Sequence, residues 1–292
     1  MSAQEVWTIR RVLTWAADDL RARGSDTPRL DVELLLAETL GSTRIAVLTD
    51  PERPLTKEEL ARYRELHKRR RAGEPVAYLL GAREFYGRSF RVDKRVLVPR
   101  PDTETLVDVA LERTSHLSLD ARALDLCTGS GCVAITLACE RPMWIVLGTD
   151  LSEEALEVAR DNASRLGAAP RVYFQSADLF TGIKTEPGRA FDLVTANPPY
   201  IAEHEKTELA RTIVDFEPHL ALFGGADGLD IVRRIIGAAP EHLEPGGVLA
   251  MEIGAGQSTE TARLFEAGGF TEVEIRKDYG GIERVVSGRA HP

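Results

Sequence analysis

Four consecutive residues, Asn197-Pro198-Pro199-Tyr200, have the chemistry to hold a planar NH2 group. The asparagine side chain offers one acceptor oxygen. The Pro198 carbonyl offers another, in a backbone that two prolines keep extended and deprive of N–H donors. Two acceptors suit the two hydrogens of an amide or amine, and the Tyr200 ring can lie flat against a carboxamide or a nucleobase. The run follows the apolar stretch Phe191–Ala196, which reads as a strand, so it sits where that strand ends. Taken alone, Pro-Pro at such a place also makes a stiff turn that Asn197 caps.

A second group lies upstream. Asp125-Leu126-Cys127-Thr128-Gly129-Ser130-Gly131 leaves another apolar strand and enters the apolar helix Cys132 to Cys139. Glycines at such a turn let backbone approach a ligand and allow positive φ. Gly129, Gly131 and Ala134 also fit the G-x-G-x-x-(G/A) pattern of dinucleotide proteins, so the loop by itself leaves two cofactor classes open. Asp150, about 20 residues on, is placed to accept hydrogen bonds from ribose hydroxyls. It also precedes Ser152 and Glu153, where it could simply begin a helix. Asp178 and Leu179 would flank an adenine. What separates the classes is Asn197: a nicotinamide enzyme needs an acid or base there, whereas a methyltransferase needs acceptors that aim a nitrogen at a sulfonium methyl. Asn-Pro-Pro-Tyr resembles the (N/D)PP(Y/F/W) motif of S-adenosylmethionine-dependent methyltransferases acting on planar nitrogen.

These residues need elements to position them. Residues 1–72 carry helical spacing, with Val12, Trp15 and Ala16, then Val32, Leu35, Leu36 and Leu40 on repeating faces. Breaks at Gly24 to Pro28, Gly41 to Thr43 and Asp50 to Pro54 divide it into short helices, and Thr56 with Glu59 forms a capping box. Residues 73–102 form a connector in which Phe85, Tyr86, Phe90, Val92, Val96 and Val98 are spaced for a hairpin. Over 103–292 strands alternate with helices, near Ala123–Leu126, Ile145–Thr149, Val172–Gln175, Phe191–Ala196, Val248–Ile253, Glu272–Arg276 and Arg284–Ser287, with Pro245-Gly246-Gly247 a turn before the fifth. That order predicts an α/β fold with a mostly parallel sheet, whose ligands bind at the carboxyl ends of the strands.

Composition narrows the classes. At 292 residues, 43% hydrophobic and 28% charged, the chain can bury a real core, and its length favours two domains. No apolar run approaches the roughly 20 residues of a membrane span and the first residues lack a signal peptide's apolar segment, so a cytoplasmic protein is expected. Cys127, Cys132 and Cys139 are too few for a disulfide framework and no His-rich segment accompanies them, so no metal is expected. A net charge of −9 argues against stable nucleic-acid binding. One basic run, Arg62, Arg64, Lys68, Arg69, Arg70 and Arg71, is either a solvated helix face or a docking surface for an anionic partner.

Taken in order, the pieces closely resemble the peptide chain release factor glutamine methyltransferases, the PrmC or HemK family. They are Pro75-Val76-Ala77-Tyr78 with Gly81, Glu84-Phe85-Tyr86-Gly87, Leu97-Val98-Pro99-Arg100-Pro101-Asp102-Thr103-Glu104, the glycine loop, Asp150, Asn197-Pro198-Pro199-Tyr200-Ile201, Phe216-Glu217-Pro218, Gly224-Gly225 through Gly228-Leu229, and Asp278-Tyr279-Gly280-Gly281 with Arg284-Val285. Position 127 departs from the family, with cysteine where glycine is more usual. The resemblance implies a class I, Rossmann-like methyltransferase domain with seven strands, the last antiparallel, and a helical N-terminal domain that helps dock a protein substrate. It implies S-adenosylmethionine as cofactor, S-adenosylhomocysteine as product, and the glutamine of a release factor's Gly-Gly-Gln tip as acceptor. Carried over, Cys127, Thr128, Gly129, Ser130, Gly131, Asp150, Leu179 and Asn197 contact the cofactor, with Asp178 added by its place after the third strand, and Asn197, Pro198, Pro199 and Tyr200 hold the glutamine. Asn197, Pro198 and Tyr200 are the catalytic set.

Several further expectations follow. Thr103 and Glu104 begin a helix near the cofactor, with Asp102 or Thr103 either capping it or touching ligand. Glu217 and Arg284 brace the loop after Tyr200 or lie on the surface, and His204 and His219 are structural. A sister family that methylates glutamine on a large-subunit ribosomal protein shares the glycine loop and Asn-Pro-Pro-Tyr. An adenine or cytosine amino-methyltransferase, a dinucleotide oxidoreductase and a silent docking protein are the other classes. The ending Asp278-Tyr279-Gly280 to Arg284-Val285-Val286 and the Arg100 to Glu104 segment favour the release factor.

Overall fold

A computed structural model of the chain describes residues 6–117, 120–184, 190–207 and 209–291. The chain divides into two compact units, Met1–Gly81 with Arg211–Phe216, and Ala82–Ala210 with Glu217–Pro292.

The first unit is helical: α1 (Ile9–Arg21), α2 (Pro28–Leu40), α3 (Arg44–Thr49), α4 (Lys57–Arg71) and α5 (Val76–Leu80). The breaks fall where the sequence places them. Pro28 opens α2, where a missing N–H costs nothing, and Gly41 closes it at φ +58. Thr56 and Glu59 form the expected reciprocal box at the start of α4. Ile9, Leu13, Leu35, Leu36 and Tyr63 are the buried centre, and Leu79 of α5 joins them. That contact carries the unit to Gly81, past the boundary expected at Ala72. Three of the six cations in the basic run on α4 are paired within the unit: Arg69 with Glu74, Arg70 with Asp31 at 2.9 Å and Arg71 with Asp19 at 3.0 Å.

The second unit begins with a hairpin, β1 (Ala82–Phe85) against β2 (Arg88–Arg91), turned by Tyr86 and Gly87. There follow α6 (Glu104–Arg113), β3 (Arg122–Leu126), α7 (Cys132–Glu140), β4 (Ile145–Asp150), α8 (Glu153–Arg165), β5 (Val172–Ser176) and β6 (Phe191–Ala196). The short helix α9 (Arg211–Val214) belongs to the first unit. Then come α10 (Asp230–Ala238), β7 (Leu243–Glu252), α11 (Ser258–Ala267), β8 (Thr271–Lys277) and β9 (Glu283–Arg289).

The seven main strands form one sheet in the order β5-β4-β3-β6-β7-β9-β8. All neighbours are parallel except β9, which runs antiparallel to β7 and to β8. Successive residues feed opposite clusters: Ala123, Leu193, Val248, Ala250 and Val285 join one, and Leu124, Val194, Leu249, Met251 and Val286 the other. That alternation explains why these strands read as unbroken apolar runs, since a sheet covered on both faces has no polar side. The Pro245-Gly246-Gly247 stretch does not precede β7 but lies within it. There the pairing slips, Phe191 facing Leu243 and Leu193 facing Val248. The order reverses between β3 and β6, and such a switch point opens a crevice beyond the strand ends.

Candidate active site

A cavity of about 260 Å³ lies at that crevice. Its wall includes Cys127, Thr128, Gly129 and Ser130 after β3, Asp150 at the end of β4, Asp178 and Leu179 after β5, and Asn197 and Pro199 after β6. A smaller cavity is lined by Asn197, Pro198, Tyr200, Leu97 and Arg100. Asn197 lines both. Gly131 lines neither: it sits at φ +78, and a Cβ there would meet Ile135 at 2.9 Å and Ala159 at 3.2 Å, so backbone conformation and packing both call for glycine.

The glycine loop is held from below. Asp125 is 1% exposed and accepts hydroxyl hydrogen bonds from Thr128 at 2.6 Å and Thr195 at 2.8 Å. Burial pushes its carboxyl up to about 6, against the pull of those two hydroxyls. Cys127 sits at φ +55 and Leu179 at φ +54, a region that non-glycine residues rarely adopt. Both line the cavity, and strain stored at a cavity wall points to a ligand site. At position 127 a glycine would be free of that strain. The thiol is held above its ordinary range by burial, so it is not a nucleophile.

Asp150 does not cap α8. Ser152 does, its hydroxyl accepting from Ala155 N at 3.2 Å. The Asp150 carboxylate instead accepts from Gly129 N and Ser152 N, both at 2.9 Å. A carboxylate has about four lone-pair sites, so capacity remains for a hydroxyl donor from the cavity. Burial raises its pKa, and the backbone N–H groups of Ser152 and Gly129 counter that.

The Asn197–Tyr200 backbone is clamped from outside. A Cβ on Gly224 would stand 2.4 Å from the Pro199 carbonyl oxygen, and one on Gly228 would stand 2.2 Å from that of Tyr200. Only glycine permits this approach. Ile201 N donates to Leu222 O at 3.0 Å, Gly224 N to Ile201 O at 2.9 Å, and Gln257 Nε2 to Tyr200 O at 2.9 Å. The Pro198 carbonyl is left out of this web and accepts no hydrogen bond among the described residues. The Asn197 amide donates through Nδ2 to Thr103 Oγ1 at 3.2 Å, and no donor among the described residues reaches its Oδ1. Two acceptor oxygens are therefore spare.

Sequence reasoning misses several supports. Neither Asp102 nor Thr103 caps α6: Thr103 occupies the cap position with no side-chain bond to it, and its hydroxyl serves Asn197. Glu104 accepts from Tyr86 N at 2.8 Å. Glu217 braces not the loop after Tyr200 but the segment before α6, accepting from Arg100 at 2.6 Å and Val98 N at 3.3 Å. Arg284 pairs with Asp278 at 3.3 Å and Asp102 at 3.4 Å. Glu252, at the end of β7, is 1% exposed and receives the Tyr200 hydroxyl at 3.3 Å. A lone acid closing an apolar strand is the signal that could have found it. His219 packs edge-on to Phe223, and no cluster able to hold a metal occurs among the described residues.

Residues 11–81 match the PrmC N-terminal domain and residues 103–220 the Methyltransferase small domain. A release factor glutamine methyltransferase of Koribacter versatilis (strain Ellin345) is 44% identical over 282 residues, spanning 97% of this chain and 98% of that protein. One from Geobacter sulfurreducens is 42% identical over 287 residues, with 98% of each chain covered. A crystallised methyltransferase from Pyrococcus furiosus is similar in fold, with a TM-score of 0.53 at 19% identity over 71% of this chain and 91% of that one.

Proposed function

Because the chain belongs to the release factor glutamine methyltransferase family, we propose that it methylates the side-chain amide nitrogen of the glutamine in the Gly-Gly-Gln motif of peptide chain release factors. The observation that carries this reading is the pair of spare oxygens, Asn197 Oδ1 and the Pro198 carbonyl, beside a cavity walled by the glycine loop and Asp150. S-adenosylmethionine, when bound in that cavity, supplies a methyl carbon on a positively charged sulfur. The wall suits such a group: Asp150 and Asp178 present acceptors for hydroxyl and amino hydrogens, and Leu179, Ala177 and Ile231 present apolar surface.

The remaining chemistry belongs to the chain's own residues. An amide nitrogen is a poor nucleophile because its lone pair is delocalised into the carbonyl. Asn197 Oδ1 and the Pro198 carbonyl each accept one amide hydrogen, which turns the nitrogen toward the larger cavity and stabilises positive charge as it develops. The nitrogen sheds a proton only after its new bond forms, so no strong base is needed first. Burial, with Glu252 beside it, holds the Tyr200 phenol above its ordinary range, so the ring stays neutral against the flat amide. A release-factor substrate supports a cytoplasmic location. No helix among the described residues is long and apolar enough to cross a membrane.

The test is to incubate the enzyme with labelled S-adenosylmethionine and, separately, purified release factors, the large-subunit ribosomal protein and DNA, mapping the methyl group by mass spectrometry. Label on the release-factor glutamine is expected. Label only on the ribosomal protein would overturn the substrate, and label on DNA the acceptor class.

A further inference from the structure

We infer that Thr103 is a positioning residue whose hydroxyl fixes which way round the Asn197 carboxamide sits, so that its oxygen rather than its nitrogen faces the acceptor. The inference rests on the reading of Asn197 as an acceptor of amide hydrogens. A carboxamide is nearly symmetric in shape, and a half-turn exchanges oxygen for NH2. Turned the wrong way, Asn197 would meet a substrate NH2 with another NH2, donor against donor. Its immediate neighbours cannot break the tie, because Pro198 and Pro199 have no N–H to offer.

Thr103 can. It is 2% exposed, and Asn197 Nδ2 lies 3.2 Å from its Oγ1. Its backbone is helical, at φ −66 and ψ −19, and its hydroxyl makes no capping bond, so that group is free for another task. A hydroxyl has one hydrogen and two lone pairs. The hydrogen has a claimant in Glu252, a buried acid whose charge the Thr103 hydroxyl favours and whose Oε2 has no hydrogen-bond partner among the described residues. When ionised, that carboxylate only accepts, which draws the Thr103 hydrogen toward it and leaves the lone pairs for Asn197. Only the NH2 end of the carboxamide satisfies them. Tyr200, from the other end of the acceptor motif, donates to Glu252 Oε1, which ties both walls of the acceptor pocket to one buried acid.

The test compares Thr103→Val, which keeps the shape and removes the hydroxyl, with Thr103→Ser, which keeps the hydroxyl. Both are measured in the full chain with a release factor and S-adenosylmethionine. Thr103→Val is expected to lower kcat roughly tenfold or more, the worth of a misdirected hydrogen-bonding group in a buried site. Thr103 and Asn197 also line the cofactor cavity, so S-adenosylmethionine affinity by calorimetry falls too, but by less than kcat, and Thr103→Ser recovers most of the turnover. On an Asn197→Ala background the valine substitution adds nothing, because the group it orients is gone. Should the valine variant fail to fold, Thr103→Ala takes its place with the same outcomes. Normal kcat without the hydroxyl, a serine variant as impaired as the hydroxyl-free one, or an undiminished loss on Asn197→Ala would each overturn the inference while the wild-type enzyme still methylates its release factor. A wild-type enzyme that labels no release factor would instead remove the reading beneath it.

Discussion

The Tyr200 hydroxyl donates to Glu252 Oε1 across 3.3 Å, although 52 positions separate the two residues. Burial pushes the Glu252 carboxyl from 4.5 up to about 7, with Thr103, Arg284 and Tyr200 favouring its charge and Asp102 opposing it. Protonation turns an acceptor into a donor, so turnover should fall on the acid side with a midpoint near 7, and Glu252→Gln should lose that dependence along with much of its rate. Stability runs the other way. A carboxyl whose folded pKa is raised stabilises fully below its unfolded value and loses that contribution as pH rises through the folded one. Glu252→Gln should therefore gain on the wild type between pH 5 and pH 8, by up to about 3 kcal/mol, in urea unfolding at the two values. An unchanged gap would contradict the buried charge.

Asn197→Ala removes one of the two acceptors and leaves the clamp of Gly224, Gly228 and Gln257 in place. Turnover should fall by roughly 10²–10³-fold with the thermal transition intact. Near-normal rates in single-turnover assays would refute the assigned role.

Asp150→Asn keeps the shape of the side chain but exchanges a charged acceptor for one that can accept on only one side. The Gly129 and Ser152 N–H groups compete for what is left. S-adenosylmethionine should bind about 10–100-fold more weakly by calorimetry, matching a charge-assisted hydrogen bond of roughly 1.5–3 kcal/mol. An unaltered affinity would mean that Asp150 serves the loop alone.

Two glycine substitutions should part company. Gly224→Ala drives a Cβ into the Pro199 and Gly228 carbonyls, and should cost about 1–3 kcal/mol in unfolding while displacing the acceptor backbone and lowering turnover. Gly237→Ala, in α10 with nothing within 4 Å of the added carbon, should stabilise by roughly 0.5–1 kcal/mol and leave turnover alone. Equal effects would show that the tight loop has room to move.

The central strands of the sheet are legible because they are rich in apolar residues, the edge strand β8 because Val273 and Ile275 alternate with charges, and the acceptor motif because its residue types are unusual together. Local chemistry of that sort survives in one dimension. The Thr103–Asn197 bond, between residues 94 positions apart, leaves no periodic trace, and Thr103 reads as an ordinary helix cap. Glu217 likewise reads as a neighbour of the acceptor loop, yet it reaches back to Val98 and Arg100. The Pro-Gly-Gly turn before β7 was misplaced for a related reason: its proximity to Phe191 absorbs it into the strand as a slip in pairing. What the sequence hides is the tertiary partner, not the reactive group.

The spare oxygens of Asn197 and Pro198 also set a stopping rule. A primary amide fills both, but once a methyl has replaced one hydrogen only a single N–H remains, and one oxygen loses its match. The modified side chain is therefore the less welcome guest: it leaves readily and, on returning, can no longer aim its nitrogen. On the proposed roles of these two oxygens, one carbon is expected per glutamine and no second, a restraint arising from the number of acceptors rather than from any residue devoted to enforcing it.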